Sequence, residues 1–121
     1  MNAIQELLDT PLELLLAAAR TPAERVDTMV RRANAEMDQG DVNRGKQIAQ
    51  DAVLLARESC PHAARERVLA LLCFLRTAPD NAAPLLAEAH GIADSANEPQ
   101  LITAIVHAAR TLGVPLPTHV F

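Results

Sequence analysis

The chain has 121 residues, half of them apolar, and a formal net charge of −4. That length fits one domain with its own core and is too short for two. The apolar residues are mostly alanine and leucine, with two phenylalanines and no tyrosine or tryptophan, which favours helices packed through small side chains over a sheet. No basic stripe extends beyond Arg31 and Arg32, which disfavours nucleic acid as a partner. Composition therefore predicts an all-α protein that binds no nucleic acid.

Short patterns in the chain disfavour two further classes. The apolar run over residues 14–19 is far too short to cross a bilayer. Acidic Glu6 and Asp9 precede it, so the start of the chain lacks the positive charge of a secretory signal. Cys60 at a predicted turn and Cys73 in a predicted helix do not make a disulfide framework. We therefore expect a cytoplasmic protein with reduced thiols and no membrane insertion.

The first helices are predicted from their start signals. Asn2 is predicted to cap a short helix over residues 3–8, and Thr10-Pro11-Leu12-Glu13 has the pattern of a capping box with proline at the first helical position. The same arrangement returns at Thr21-Pro22-Ala23-Glu24. In each predicted box the threonine oxygen can accept from a free amide, while the glutamate can reach back and favour the positive helix end. The boxes predict helix starts near residues 11 and 22.

A helix hairpin is predicted between residues 22 and 58. Its first helix, about 22–39, has a narrow apolar stripe, and its second, about 42–58, has small and aliphatic residues on one face. Gln39-Gly40-Asp41 supplies the turn, because glycine can take the left-handed conformation and aspartate can cap the next helix. The small residues that would let the two helices approach closely are Ala33, Gly45, Ala49 and Ala52.

The second half of the chain repeats this design. A helix over about 61–77 is apolar around much of its surface, so we expect it to be central or to line a groove. Helices over about 81–95 and 99–112 follow two breaks, and Gly113 ends the last one. A shift of 37 residues places Ala33 on Ala70, Met37 on Phe74, Ile48 on Leu85, Ala49 on Leu86, Ala52 on Ala89, Leu55 on Ile92 and Ala56 on Ala93. Two similar helix pairs are therefore predicted, with 99–112 as a closing cap.

The Gly40-Asp41 turn, the small residue Gly45 early in the next helix and the alanines later in it resemble a tetratricopeptide repeat. The resemblance covers about residues 22–112, and its spacing looks like the helical repeat arrays of large bacterial transcription activators. It implies antiparallel helix hairpins stacked as a short right-handed solenoid. The single domain then divides into an N-terminal helical segment at 1–20, helix pairs at 22–58 and 61–95, a capping helix at 99–112 and an extended tail at 113–121. A generic antiparallel α-bundle without a groove is the alternative.

In this family the first helix of each pair lines a concave surface that holds part of a partner protein. The resemblance therefore implies an adaptor or chaperone that binds a partner's helix or extended peptide, with chaperones of bacterial secretion systems as a specific candidate. It places the partner-binding residues at Asp27, Val30, Asn34, Met37, Arg67, Leu71, Phe74 and Leu75. Two other hypotheses stay open: a regulatory or oligomerising module related to the activator arrays, and an α-bundle enzyme or small-ligand binder.

Patterns that would carry chemistry are weak. Residues 40–46 have the spacing of a phosphate-binding loop, but no strand precedes them and Gln47 stands where Ser or Thr would hold Mg²⁺. Cys60 and His62 supply only two of the ligands that a structural zinc site needs. The sequence also lacks a convincing Ser/His/Asp set. We therefore predict no enzymatic activity, no cofactor and no metal.

The chain beyond Gly113 is expected to be extended, because its prolines disfavour helix. It carries more apolar surface than a segment facing only solvent, and that surface comes from Val114, Leu116, Val120 and Phe121. We expect it to dock in one of two places. On its own last helix it would cover Ile105 and Leu112, whereas in a neighbouring subunit's groove near Arg67 and Phe74 it would produce a homodimer.

Overall fold

A computed structural model describes residues 9–114, and all regular secondary structure in that range is helical. In chain order the helices are α1 (Leu12–Ala18), α2 (Pro22–Asp38), α3 (Val42–Ser59), α4 (Ala64–Leu75), α5 (Ala82–Ala96) and α6 (Pro99–Leu112), with a 3₁₀ turn at Pro79–Asn81 before α5. The predicted all-α class is confirmed for these residues. The helix predicted at 3–8 and the tail after Val114 lie outside them.

Side-chain caps explain where α2 and α3 begin. The Thr21 hydroxyl accepts from the Glu24 amide at 3.1 Å, and the Glu24 carboxylate accepts from the Thr21 amide at 3.2 Å, so the second predicted capping box is present. Asp41 caps α3 by accepting from an amide of its first turn at 3.1 Å. Both starts therefore lie where the local sequence predicted them.

The first predicted capping box is wrong. Pro11 takes the N-cap position of α1 with an extended ψ of 139°, and no side chain caps this helix. The helix thus begins one residue later than a box starting at Thr10 requires. The Thr10 carbonyl instead accepts from the guanidinium of Arg32, a buried residue of α2 that also donates to Glu36 at 2.9 Å. Thr10, which the local pattern predicted as the cap of α1, therefore makes a tertiary contact with α2.

Three helices end in the same left-handed turn, centred on Gly40 (φ 97°), Asn97 (φ 60°) and Gly113 (φ 69°). In each turn the amide of the following residue donates to a carbonyl five residues earlier, which satisfies one of the free carbonyls at the helix end. These bonds run from Asp41 to Glu36 at 2.9 Å, from Glu98 to Ala93 at 3.1 Å and from Val114 to Ala109 at 2.9 Å. The turn predicted at residues 39–41 and the helix end predicted at Gly113 are both confirmed.

Most helices pack on their neighbours in the chain. α2 has its most extensive contact with α3, α3 also packs on α4, α4 on α5, and α5 on α6. α4 further contacts both α2 and α6, so α2, α4 and α6 form one row, which we call the first-helix row. An ion pair between Arg57 and Glu88, at 2.6 and 3.0 Å, joins α3 to α5. α1 lies on α2 at one end of the first-helix row.

The contact between α2 and α3 is close because its residues are small. Ala33, Ala49 and Ala52 are fully buried there. A Cβ added to Gly45 would lie 2.5 Å from Cγ of Met37 and 2.9 Å from the carbonyl oxygen of Ala33. The predicted close approach of these two helices is therefore confirmed.

Positions related by the 37-residue shift have similar burial in α3 and α5. Four pairs are buried in both α3 and α5: Ile48 with Leu85, Ala49 with Leu86, Ala52 with Ala89, and Ala56 with Ala93. In the first-helix row, Ala33 and Ala70 are both fully buried, whereas Met37 is buried and Phe74 is half-buried. Five of these six pairs are therefore buried at both positions.

Candidate functional site

An open cleft of about 540 Å³ lies between α1, α2 and the start of α4. Its apolar lining, which we call the apolar wall, comes from α1, the turn after it and the start of α2: Leu15, Ala18, Ala19 and Ala23. Its polar lining, which we call the charged wall, comes from α2 and α4: Glu24, Asp27, Thr28, Arg31, Arg65 and Glu66. Arg20 completes the lining. The cleft therefore offers both apolar contact and charged groups.

α1 has one face that packs against the core and an adjoining face that contributes to the apolar wall. Leu12 and Leu16 pack against the core, although no residue of this short helix is fully buried. Leu15 and Ala18 are three residues apart and so lie on one adjoining face, which lines the cleft. The apolar run at residues 14–19, which is too short to span a membrane, thus supplies one wall of a surface cleft.

Ion pairs order the charged wall. Asp27 pairs with Arg31 at 3.1 Å, one turn further along α2, and lies 4.0 Å from Arg65 of α4. Arg65 in turn lies 3.4 Å from Glu66. The Arg31 and Arg65 side chains are 70% and 61% exposed, so these pairs add little to stability. Two acidic and two basic side chains therefore face the cleft with no net charge.

A second polar cluster joins α2 to α4 nearer the C-terminal ends of these two helices. Arg76 donates to Asn34 at 2.7 Å and to Asp38 at 3.0 Å. The thiol of Cys73 is 3.5 Å from the same Asn34 side-chain oxygen, within hydrogen-bond distance for sulfur. Asn34, one of the predicted partner-binding residues, is therefore engaged in holding two helices together.

The eight residues predicted to bind a partner do not share one surface. Asp27 lines the cleft, whereas Arg67 lines a separate cleft of about 580 Å³ between α4 and α5. Asn34 and Phe74 are half-buried, and Phe74 packs against the core. The other four are buried: Val30, Met37, Leu71 and Leu75.

Of the two places predicted for α4, central or lining a groove, the structure shows the central one. α4 packs on α2, α3, α5 and α6, so most of its apolar surface belongs to the core. Three residues in or next to α4 face its neighbours α2 and α6. Arg65 and Arg76 pair with acidic residues of α2, and Leu72 lines a groove with residues of α6. Their spacing of seven and four residues places them on one helical face.

An apolar groove of about 240 Å³ lies at the opposite end of the first-helix row, between the C-terminal halves of α4 and α6. Its apolar lining is Leu72, Leu75, Ala108 and Leu112, and the remaining lining residues are Arg76, His107 and Thr111. Leu112 is 39% exposed there. We call this surface the α4–α6 groove.

Both cysteines are free and buried, and neither has the environment of a reactive thiol. Burial raises the pKa of Cys73 to about 11, with a smaller opposing effect from Arg76. Burial, assisted by the charge of Glu66, also raises the pKa of Cys60. Reactive cysteines instead have a lowered pKa and partial exposure. These thiols are therefore packing groups of the core.

The raised pKa of Cys73 predicts a loss of stability at high pH. In the unfolded chain this thiol ionises near its ordinary pKa of 9.0, whereas in the folded protein it keeps its proton up to about 11. Between these values the folded state binds more protons, so the free energy of unfolding falls as pH rises. Urea unfolding of the wild type and Cys73→Ala across that range should show the stability difference between them shrinking. A constant difference would mean that the thiol is not desolvated.

No protein-family model, curated protein or solved structure matches this chain. Across residues 9–114, no group of three or more His, Cys, Asp and Glu side chains could hold a metal ion. Over the same residues, no helix has both the length and the apolar character needed to cross a bilayer. The functional interpretation therefore depends on the geometry of the clefts.

Proposed function

We propose that this protein is a short tetratricopeptide-like adaptor or chaperone that binds a helix or an extended segment of a partner protein. The bound segment occupies the cleft between α1, α2 and α4. The observation that carries the proposal is that apolar residues and ion-paired charges line one open cleft. Apolar contact at such a surface supplies affinity, and fixed charges select the partner and its register.

The packing order supports a solenoid of stacked helix hairpins. α2 with α3 and α4 with α5 make two pairs, each second helix also contacts the next first helix, and α6 contacts both helices of the second pair. The exposed residues of α6 are largely polar, including Gln100, Thr103, His107 and Arg110. A polar outer face is typical of a terminal capping element in such arrays. A chaperone of a bacterial secretion system is one member of this class, and the identity of the partner would assign it.

Two neighbouring alanines of α1 provide a matched test. Ala17 and Ala18 are both exposed, but only Ala18 lines the cleft. Ala18→Arg should fill the cleft and deplete the partner recovered by affinity purification from the source cell, whereas Ala17→Arg should recover it as the wild type does. Ala18→Glu should also deplete it, because the obstruction is steric and does not depend on the sign of the charge.

Circular dichroism and thermal unfolding of each variant serve as the control for folding. Equal recovery of the partner by wild type, Ala18→Arg and Ala17→Arg would place the binding surface elsewhere. Depletion by Ala18→Arg without a change in the melting temperature is the result that we expect.

A further inference from the structure

We infer that residues 115–121 dock in cis in the α4–α6 groove. This surface is separate from the partner-binding cleft, because the cleft lies at the start of α4 and the groove at its end. The two sites therefore do not depend on each other. The groove is apolar, it has room for side chains, and it leaves Leu112 partly exposed.

The last turn of α6 brings the chain to this groove. At Gly113 the backbone takes a φ of 69°, and the Val114 amide donates to the Ala109 carbonyl at 2.9 Å. Such a turn ends the helix and folds the following residue back over its last turn. Val114 packs against the core as a result. The described chain therefore ends against the body of the protein, two residues after Leu112, which lines the groove.

The segment that follows has the length and chemistry to fill the groove. Its seven residues, Pro-Leu-Pro-Thr-His-Val-Phe, reach about 23 Å when extended, at about 3.3 Å per residue. The groove residues of α4 run from Leu72 to Arg76 and span only about 6 Å of helix. Leu116, Val120 and Phe121 supply apolar side chains. Pro115 and Pro117 reduce the conformational entropy that the segment loses when it is ordered.

Attachment to α6 favours the chain's own groove over that of a second copy. A short tether gives the segment an effective concentration in the millimolar range beside its own groove. A second molecule at micromolar concentration competes poorly with this. Docking in cis therefore predicts a monomer whose distal groove is covered by its own chain.

Two threonines of α6 give a matched pair of variants for the test. The hydroxyls of Thr103 and Thr111 each donate to the carbonyl four residues earlier, at 3.1 and 2.9 Å, and both residues are exposed. Only Thr111 lines the α4–α6 groove. An arginine at position 111 should therefore obstruct the groove, and an arginine at position 103 should not, with similar effects on the helix itself.

The measurement is nuclear Overhauser contact in the isotope-labelled full chain. Phe121 is one of only two phenylalanines, so its ring is a readily assigned reporter of the segment. We expect contacts from Phe121 or Leu116 to the methyl groups of Leu72, Leu75 or Leu112 in the wild type and in Thr103→Arg. These contacts should be lost in Thr111→Arg.

The same spectra contain the results that would overturn the inference. Absence of contacts between residues 115–121 and the groove in the wild type would do so, as would contacts that persist unchanged in Thr111→Arg. An isotope-filtered spectrum of labelled chain mixed with unlabelled chain separates cis from trans. Contacts confined to one molecule support docking in cis, and contacts between molecules contradict it.

Discussion

Replacing Leu71 by alanine should lower the free energy of unfolding by about 2–5 kcal/mol, the usual cost of removing a large aliphatic side chain from a core. Leu71 is 2% exposed and lies on α4, the helix that contacts four others. Alanine leaves a cavity that these neighbours close only in part. Urea unfolding of the full chain measures the loss directly.

Leu54 supplies the control for this prediction, since it is also a leucine in a helix but is 47% exposed. Leu54→Ala removes the same atoms and has the same effect on helix propensity, yet it should change the free energy of unfolding by about 0.5 kcal/mol or less. A loss for Leu71→Ala as small as that for Leu54→Ala would show that Leu71 is not buried in the core. Leu71 would then be accessible to a partner.

Two glycine-to-alanine changes should alter stability with opposite signs. Gly91 lies within α5, and a Cβ built there meets nothing within 4 Å, so Gly91→Ala should stabilise the protein by about 0.5–1 kcal/mol through helix propensity. At Gly45 the same Cβ would lie 2.9 Å from the backbone carbonyl oxygen of Ala33. A backbone atom cannot rotate away, so α2 and α3 must separate, and Gly45→Ala should destabilise by about 1–3 kcal/mol.

Differential scanning calorimetry of the two variants measures both effects under one set of conditions. The opposite signs make the comparison robust, because any general effect of glycine replacement on the unfolded chain is shared. An increase in melting temperature for Gly45→Ala as large as for Gly91→Ala would show that α2 and α3 are not in close contact at this point.

Helix positions were predictable because their causes are local. The apolar spacing of α2 and α3 and the caps at Thr21 and Asp41 all act within a few residues, and the structure has these features where the sequence predicted them. The start of α4 was less predictable. It begins at Ala64, three residues after the predicted start, because the chain makes a turn first, in which the Ala63 amide donates to the Cys60 carbonyl at 3.1 Å.

The candidate site was less predictable because its residues are brought together by tertiary packing. Asp27 was predicted, but its partner Arg65 is 38 positions away in the sequence and no local pattern joins them. On α4, apolar residues surround most of the helix, so the hydrophobic pattern cannot show which part becomes core. Only the positions of α2, α3, α5 and α6 around α4 decide that question.

The contribution of α1 was also hidden in the sequence. Residues 14–19 form an apolar run without helical periodicity, and nothing in that run shows which side chains pack on α2 and which face outwards. In the structure Leu16 packs against the core, Leu15 lines the cleft and Leu14 is 63% exposed. The division of roles among three consecutive leucines follows from how α1 lies on α2.

The dissociation constant of the recovered partner for the wild type, Ala18→Arg and Ala17→Arg, measured by isothermal titration calorimetry, tests the proposed cleft most directly. Obstruction of the cleft should weaken binding by Ala18→Arg at least tenfold, or about 1.4 kcal/mol, while Ala17→Arg binds as the wild type does. Equal affinities for all three proteins, or equal losses for both variants, would contradict binding in the cleft between α1, α2 and α4.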